Sequence, residues 1–131
     1  MFLVRHAADI MDRNIQILPE TTRLSSLSHV DASHVLATHA GRVTSILPAT
    51  IIGQPGSQTL ADVALPDFIV VGSKDVAHDV IEQMWNRNVS MALVVDGEVT
   101  MPPSSEAVIG VITKAELADN MASTVLNFRN M

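Results

Sequence analysis

Thr113 and Glu116 stand one helical turn apart in this 131-residue chain, and that spacing governs what they can do. Thr-x-x-Glu is a capping box in full: the hydroxyl accepts from the backbone of a new helix, and the carboxylate reaches back to the threonine N–H. Five histidines raise the question of a metal. His29, His34 and His39 recur every five residues, which puts neighbours on opposite faces of a strand, or about 140° apart on a helix. There is no cysteine, and no carboxylate pair stands at ligand spacing, so a zinc site is not expected. Solvated or capping histidines are the expectation instead. Asp9 and Asp62 occupy similar contexts, and helix capping accounts for both without catalysis. No Gly-x-Ser-x-Gly elbow and no phosphate-cradling glycine loop occurs. The residues point away from an enzyme.

The elements that would position these residues read most clearly in the second half. Phe68 to Val71 is a short β-rich run closed by Gly72. Ser73 offers a hydroxyl to a helix start, and Asp75 adds negative charge to its first turn. Val76, Ala77, Val80, Ile81, Met84 and Trp85 then form one apolar stripe. Asn88 is suited to a left-handed helix stop. Met91 to Val95 is apolar throughout, as in a strand covered on both faces. Asp96-Gly97 signals a turn, and Glu98 to Glu106, with Pro102-Pro103-Ser104-Ser105, predicts an exposed loop. A last strand follows from Ala107 to Ile112, with Thr113 capping a closing helix over 114–123.

Sliding the chain along itself finds an internal repeat. Ala8-Asp9-Ile10 falls on Ala61-Asp62-Val63 at an offset of 53 residues, as do Ile15 to Pro19 on Phe68 to Gly72 and Leu24 on Ala77. Val43 to Ile46 falls on Ile109 to Ile112 at an offset of 66. The first copy holds a strand at Ile15 to Leu18, a short helical stretch around Leu24 and Leu27, and a hairpin of His34 to Thr38 with Arg42 to Leu47 around Ala40-Gly41. Pro48 then suits the first turn of a helix over 49–52. Only nine residues separate Leu24 from His34, too few for a three-turn helix. The expected division is therefore 1–57, a worn first repeat with its linker, and 58–131, the second. The expected fold class is α/β (α+β), two pseudo-symmetric βαββα repeats.

Composition sets further bounds. With 47% apolar and 17% charged residues the chain can bury a core. Eight basic residues against 14 acidic ones give a net charge of −6, which repels polyanions, so no nucleic-acid partner is expected. No apolar stretch approaches the roughly 20 residues that cross a bilayer, and Met1 to Val4 followed by Arg5 and His6 is unlike a signal peptide. A cytoplasmic location, with no direct membrane insertion, is the expectation.

Ile109-Gly110-Val111-Ile112-Thr113-Lys114-Ala115-Glu116 resembles the closing signature of CBS domains, a strand ending in Gly-apolar-apolar-Thr before an acidic helix start. Asn88 to Asp96 is similar to that family's helix-to-strand segment, and Ala8 to Asn14 to its opening element. The resemblance implies two repeats packed sheet to sheet, which often dimerise. It implies binding of an adenine nucleotide or adenosine-type ligand and modulation of an attached channel, transporter or enzyme, with no required cofactor. Thr113 would reach a phosphate and Glu116 the ribose, although the family's usual residue there is Asp. Met91 and nearby backbone groups would receive the adenine, with Gly110 also belonging to the ligand site. The residues matching Thr113 and Glu116 in the first repeat are Leu47 and Thr50, neither a carboxylate, so a single site is expected. Val80, Met84 and Trp85 would form the homodimer interface. The short first helix and the Pro-rich loop also resemble the cytoplasmic tails of CLC-type chloride channels and transporters. A ligand-free dimerisation scaffold is the alternative.

Overall fold

The computed structural model describes residues 5–27, 31–48, 58–63 and 67–114. Apolar runs of strand length build two three-stranded sheets. The first contains β1 (Ile15–Pro19), β2 (His34–His39) and β3 (Arg42–Pro48). The second contains β4 (Phe68–Gly72), β5 (Met91–Val95) and β6 (Val108–Thr113). Each sheet has the same pattern, a parallel pair followed by an antiparallel one. Among the described residues one 3₁₀ turn, Leu24–Ser26, lies between the strands of the first parallel pair, where the second has α3 (Ala77–Arg87). The nine residues between Leu24 and His34 are too few for a helix as long as α3.

Alternation along the strands sorts side chains into three cores. Leu36, Val43 and Ile46 of the first sheet meet Phe68, Leu93, Val95 and Val111 of the second, so the sheets pack face to face. Ile69, Val71, Ala92, Val94 and Ile112 point the other way, under Val80 and Met84 of α3. Val35, Ala37 and Leu47 make the outer face of the first sheet, covered by Leu24 and Leu60. Both faces of each sheet are therefore covered, which is why Met91 to Val95 lacks polar alternation.

The strand registers correct the repeat alignment. Ile15 and Pro48 flank His34 as Phe68 and Thr113 flank Met91. The first offset of 53 holds, but the last block runs at 113 − 48 = 65 residues rather than 66. A one-residue slip moves every side chain to the other face of the sheet. The partner of Thr113 is thus Pro48, the last residue of β3, and not Leu47, which is buried in the outer core. The corresponding partner of Glu116 is residue 51 rather than Thr50; both lie outside the described residues, as do the helix expected over 49–52 and the rest of the closing helix.

Two short helical turns, α1 (Ala7–Ile10) and α2 (Leu60–Val63), open the repeats, and each docks on the other repeat. Ala7 N–H donates to the Asp75 carbonyl at 2.8 Å, and Leu60 N–H to the Thr22 carbonyl at 3.0 Å. Ala77 N–H reaches Arg5 at 2.8 Å just as Leu24 N–H reaches Gln58 at 2.9 Å. Every one of these pairs obeys the 53-residue offset. Asp9 and Asp62 cap as expected, each carboxylate accepting a backbone N–H three residues earlier, His6 or Thr59, at 2.8 Å.

Three local expectations need revision. The long helix starts at Ala77, with Val76 at its N-cap, so Ser73 is not the cap. Asp75 instead accepts from Gly72 N–H at 2.9 Å and closes the turn after β4, while Ala77 N–H is satisfied by Arg5. Asn88 does end the helix left-handed, at φ 52° and ψ 43°. The loop after β5 is not simply exposed. It crosses to the first sheet, where Val43 N–H donates to Pro103, Ser105 N–H to Gly41 (2.9 Å each) and Arg42 Nη1 to Pro102 at 2.8 Å. Pro103 is buried by this docking.

Candidate functional site

The second sheet brings together two of the candidate residues. Met91 begins β5, Thr113 ends β6, and they are direct partners in the antiparallel register, with Phe68 on the other side of Met91. Both are half-buried. Lys114 N–H donates to the Ser90 carbonyl at 3.1 Å, which continues the pairing one step past the strands. Glu116 lies outside the described residues.

Gly110 has a different setting. It pairs with Val94, whose side chain belongs to the core under α3. A Cβ at Gly110 would stand 2.6 Å from Met11 Sδ and 3.0 Å from the Asp12 carbonyl oxygen. The chain at 11–12 lies against this stretch of β6, and Asp12 and Val111 exchange backbone hydrogen bonds at 2.8 and 3.0 Å. The missing side chain at Gly110 makes room for the opening segment of the chain.

The dimer candidates separate in the same way. Val80 and Met84 are 0% exposed within one chain, so they belong to the core beneath α3 and are not available to a second copy. Trp85 is 58% exposed. The buried stripe is narrower than the run of apolar residues, because neighbours such as Met84 and Trp85 differ by about 100° around the helix and face different ways. Lys114 Nζ sits 4.8 Å from the Trp85 ring centroid and 3.5 Å from Asn88 Oδ1, a cation–π contact that links the strand end to the helix.

Sequence reasoning missed a polar cluster at the matching strand end of the first sheet. The Ser33 hydroxyl donates to Asp12 Oδ2 at 2.6 Å and lies 3.0 Å from His34 Nδ1. The other Asp12 oxygen accepts from Asn14 N–H at 2.8 Å. Asn14 Nδ2 donates to the Asp31 carbonyl at 3.0 Å, and Ser33 N–H to the Asn14 carbonyl at 2.8 Å. These bonds, Ser33 first, hold the Asp12 carboxyl below its ordinary range against the opposing effect of burial. Burial pushes His34 below its ordinary 6.5, and the Asp12 charge opposes this only in part. His34 is therefore a buried, neutral imidazole, neither solvated nor a helix cap. The available signal was Asp-x-Asn directly before a strand, which favours a side-chain-to-backbone turn. His6 and His39 are the more ordinary cases, a helix N-cap and an exposed partner of Glu20 at 2.7 Å. His29 lies outside the described residues. Among the described residues no group of three potential ligands could hold a metal, and no helix is long and apolar enough to cross a membrane.

No family model matches the chain, and no curated protein matches it in sequence. Solved structures do match in shape. The CBS domain pair of protein MJ0100, in complex with 5′-methylthioadenosine and S-adenosyl-L-methionine, superposes with a TM-score of 0.66 at 15% identity, over 93% of this chain and 99% of that one. The AcuB protein of Vibrio cholerae gives 0.62 at 17% identity over 98% and 97%. The cytosolic domain of the Mg2+ channel MgtE, in complex with ATP, gives 0.59 at 18% over 87% of this chain, which spans only 48% of that one. The narrower likeness to chloride channel tails draws no support from these relatives. Two three-stranded mixed sheets, packed face to face with their opening turns exchanged, give this chain the fold of a CBS domain pair.

Proposed function

We propose that the chain is a non-catalytic regulatory module, built of units 1–57 and 58–131, that dimerises and binds one adenine-type ligand to modulate an attached channel, transporter or enzyme. The observation that carries this reading is the pairing of Met91 with Thr113 at one end of the second sheet, in a fold whose relatives are complexes with S-adenosyl-L-methionine and with ATP. Thr113 and Glu116 address phosphate and ribose, while Met91 and nearby backbone groups receive the adenine. Gly110 supports the site from behind by letting the 11–12 segment dock. A site on the cytosolic face of a membrane transporter fits the relatives, of which the soluble part of a magnesium transporter is another.

A net charge of −6 repels a triphosphate more than a monophosphate or an uncharged nucleoside. AMP or adenosine should therefore bind better than ATP, with an affinity near ~100 μM, roughly −5.5 kcal/mol. Titration calorimetry on wild type and Glu116→Ala tests this. Loss of a pair of hydrogen bonds to a charged group should cost about 1.5–3 kcal/mol, enough to abolish detectable heat at that affinity. Unchanged binding in the variant would remove Glu116 from the site. A ligand-free scaffold is the second reading, favoured by Pro48 standing where the second repeat has Thr113. Absence of heat with every adenine compound, in a chain that still dimerises, would establish it.

A further inference from the structure

A cleft of about 280 Å3 opens where α3, β4 and the loop after β5 come together. β4 lines it from Phe68 to Val70. That strand pairs only with β5, so its other edge has no strand beside it among the described residues. One wall is apolar: Val99 and Met101 line the cleft while being 49% and 62% exposed. The polar part of the lining is Gln83 and Arg87, from the last turns of α3, and Thr100 from the loop. Arg87 has no hydrogen-bond or ion-pair partner among the described residues.

These features select a ligand class. A guanidinium pairs best with a planar carboxylate, through two parallel hydrogen bonds. Arg87 is the single cation in the lining, and the chain carries −6 overall, so one negative charge is matched where two would be repelled. An open strand edge presents main-chain donors and acceptors that suit an amide. The methionine and valine wall suits a small aliphatic group, and methionine adapts its shape to what it packs against. We propose that this cleft is a binding site for a small amphipathic carboxylate of the acylated amino-acid type. The acid pairs with Arg87, the amide lies along β4, and the side chain rests on Val99 and Met101. The cleft adjoins the Met91–Thr113 strand end through Phe68, which pairs with Met91, but its lining holds neither of those two residues and the proposal does not rest on the adenine reading. Its outer wall belongs to the same loop that grips the first sheet through Pro102 and Pro103.

The test is a ¹⁵N NMR titration of the whole chain with N-acetyl-leucine and, separately, with its uncharged amide. Saturable shifts should appear at Val70, Gln83 and Thr100, and the acid should bind about ten-fold more tightly than the amide. Arg87→Gln should bring the acid down to the affinity of the amide; Arg87 is exposed, so the fold should tolerate the change. Equal affinities for acid and amide on wild type would overturn the proposal without any variant. So would shifts centred elsewhere, or none that saturate by roughly 10 mM.

Discussion

Gly110→Ala tests whether this position is a packing joint. A methyl group there would lie 2.6 Å from Met11 Sδ, 2.8 Å from Met11 Cγ and 3.0 Å from the Asp12 carbonyl oxygen. The methionine side chain can swing away only by giving up its packing against the core beneath α3. The carbonyl cannot move cheaply, because it accepts from Val111 N–H at 3.0 Å while Asp12 N–H donates back at 2.8 Å. Overpacking of this kind costs about 1–3 kcal/mol. In a domain of this size each kcal/mol shifts Tm by roughly 3–5 °C, so a fall of about 3–15 °C is expected by calorimetry or circular dichroism. Adding Met11→Ala should recover part of the loss, as a favourable coupling of about 0.5 kcal/mol or more in a double-mutant cycle. A Gly110→Ala chain within about 0.5 kcal/mol of wild type would refute the argument, as would strict additivity with Met11→Ala.

Trp85→Glu should dissociate the proposed dimer in light scattering and leave helix content intact, since Trp85 is largely exposed while Val80 and Met84 hold α3 to its sheet; a variant that unfolds would place Trp85 in the core. Arg42→Ala should speed hydrogen exchange at the Val43 and Ser105 amides, both bonded across to or from the loop after β5, and leave Leu93 unchanged. Acidification should destabilise the chain in two stages. The His34 pKa is depressed on folding, so the unfolded state takes up the proton more readily, and stability falls as pH drops below 6.5 towards the folded value. The Asp12 pKa is also depressed, so its contribution is lost as pH falls below 3.8. His34→Gln should flatten thermal melts between about pH 7 and 5; an unchanged pH profile in that variant would exclude His34 as the source.

What the sequence showed and what it hid follow from the range of the forces involved. The strands were readable because both faces are covered, which leaves apolar runs such as Phe68 to Val71 and Met91 to Val95. The left-handed stop at Asn88 and the caps at Asp9 and Asp62 were readable because capping acts within three or four residues. The hairpin at Ala40-Gly41 was readable too, although both residues adopt positive φ, 53° and 77°, and the alanine is an unusual choice for that turn. The start of α3 was misplaced because its first N–H is satisfied by Arg5, some seventy residues earlier in the chain. The last repeat offset was misplaced by one because Ile46-Leu47 and Val111-Ile112 are apolar on both faces of their strands and so do not mark the register; the irregularities after Ala37 and after Val94 fall at equivalent places and leave the offset at 65. Ser33 and Asp12 are 21 residues apart and meet only when β1 and β2 pair.

The exchange of opening turns explains how one repeat could wear down without the fold failing. Its hydrogen bonds, from Ala7 to Asp75 and from Leu60 to Thr22, run between main-chain atoms and place little demand on side chains. The first repeat can therefore reduce its helix to the turn at Leu24 while both sheets keep their register. Side chains at the two strand ends are then free to diverge, and they have. At the first, Ser33, Asp12 and Asn14 spend their hydrogen bonds on one another around a neutral His34. A ligand entering there would have to part Ser33 from Asp12, a partly buried charged bond worth roughly 1 kcal/mol, about a factor of five in affinity, before gaining anything. It would also meet Pro48, which has no hydroxyl to offer, where the second end has Thr113. The closed polar cluster and the proline act in the same direction, so any adenine-type ligand should be confined to the end formed by Met91 and Thr113.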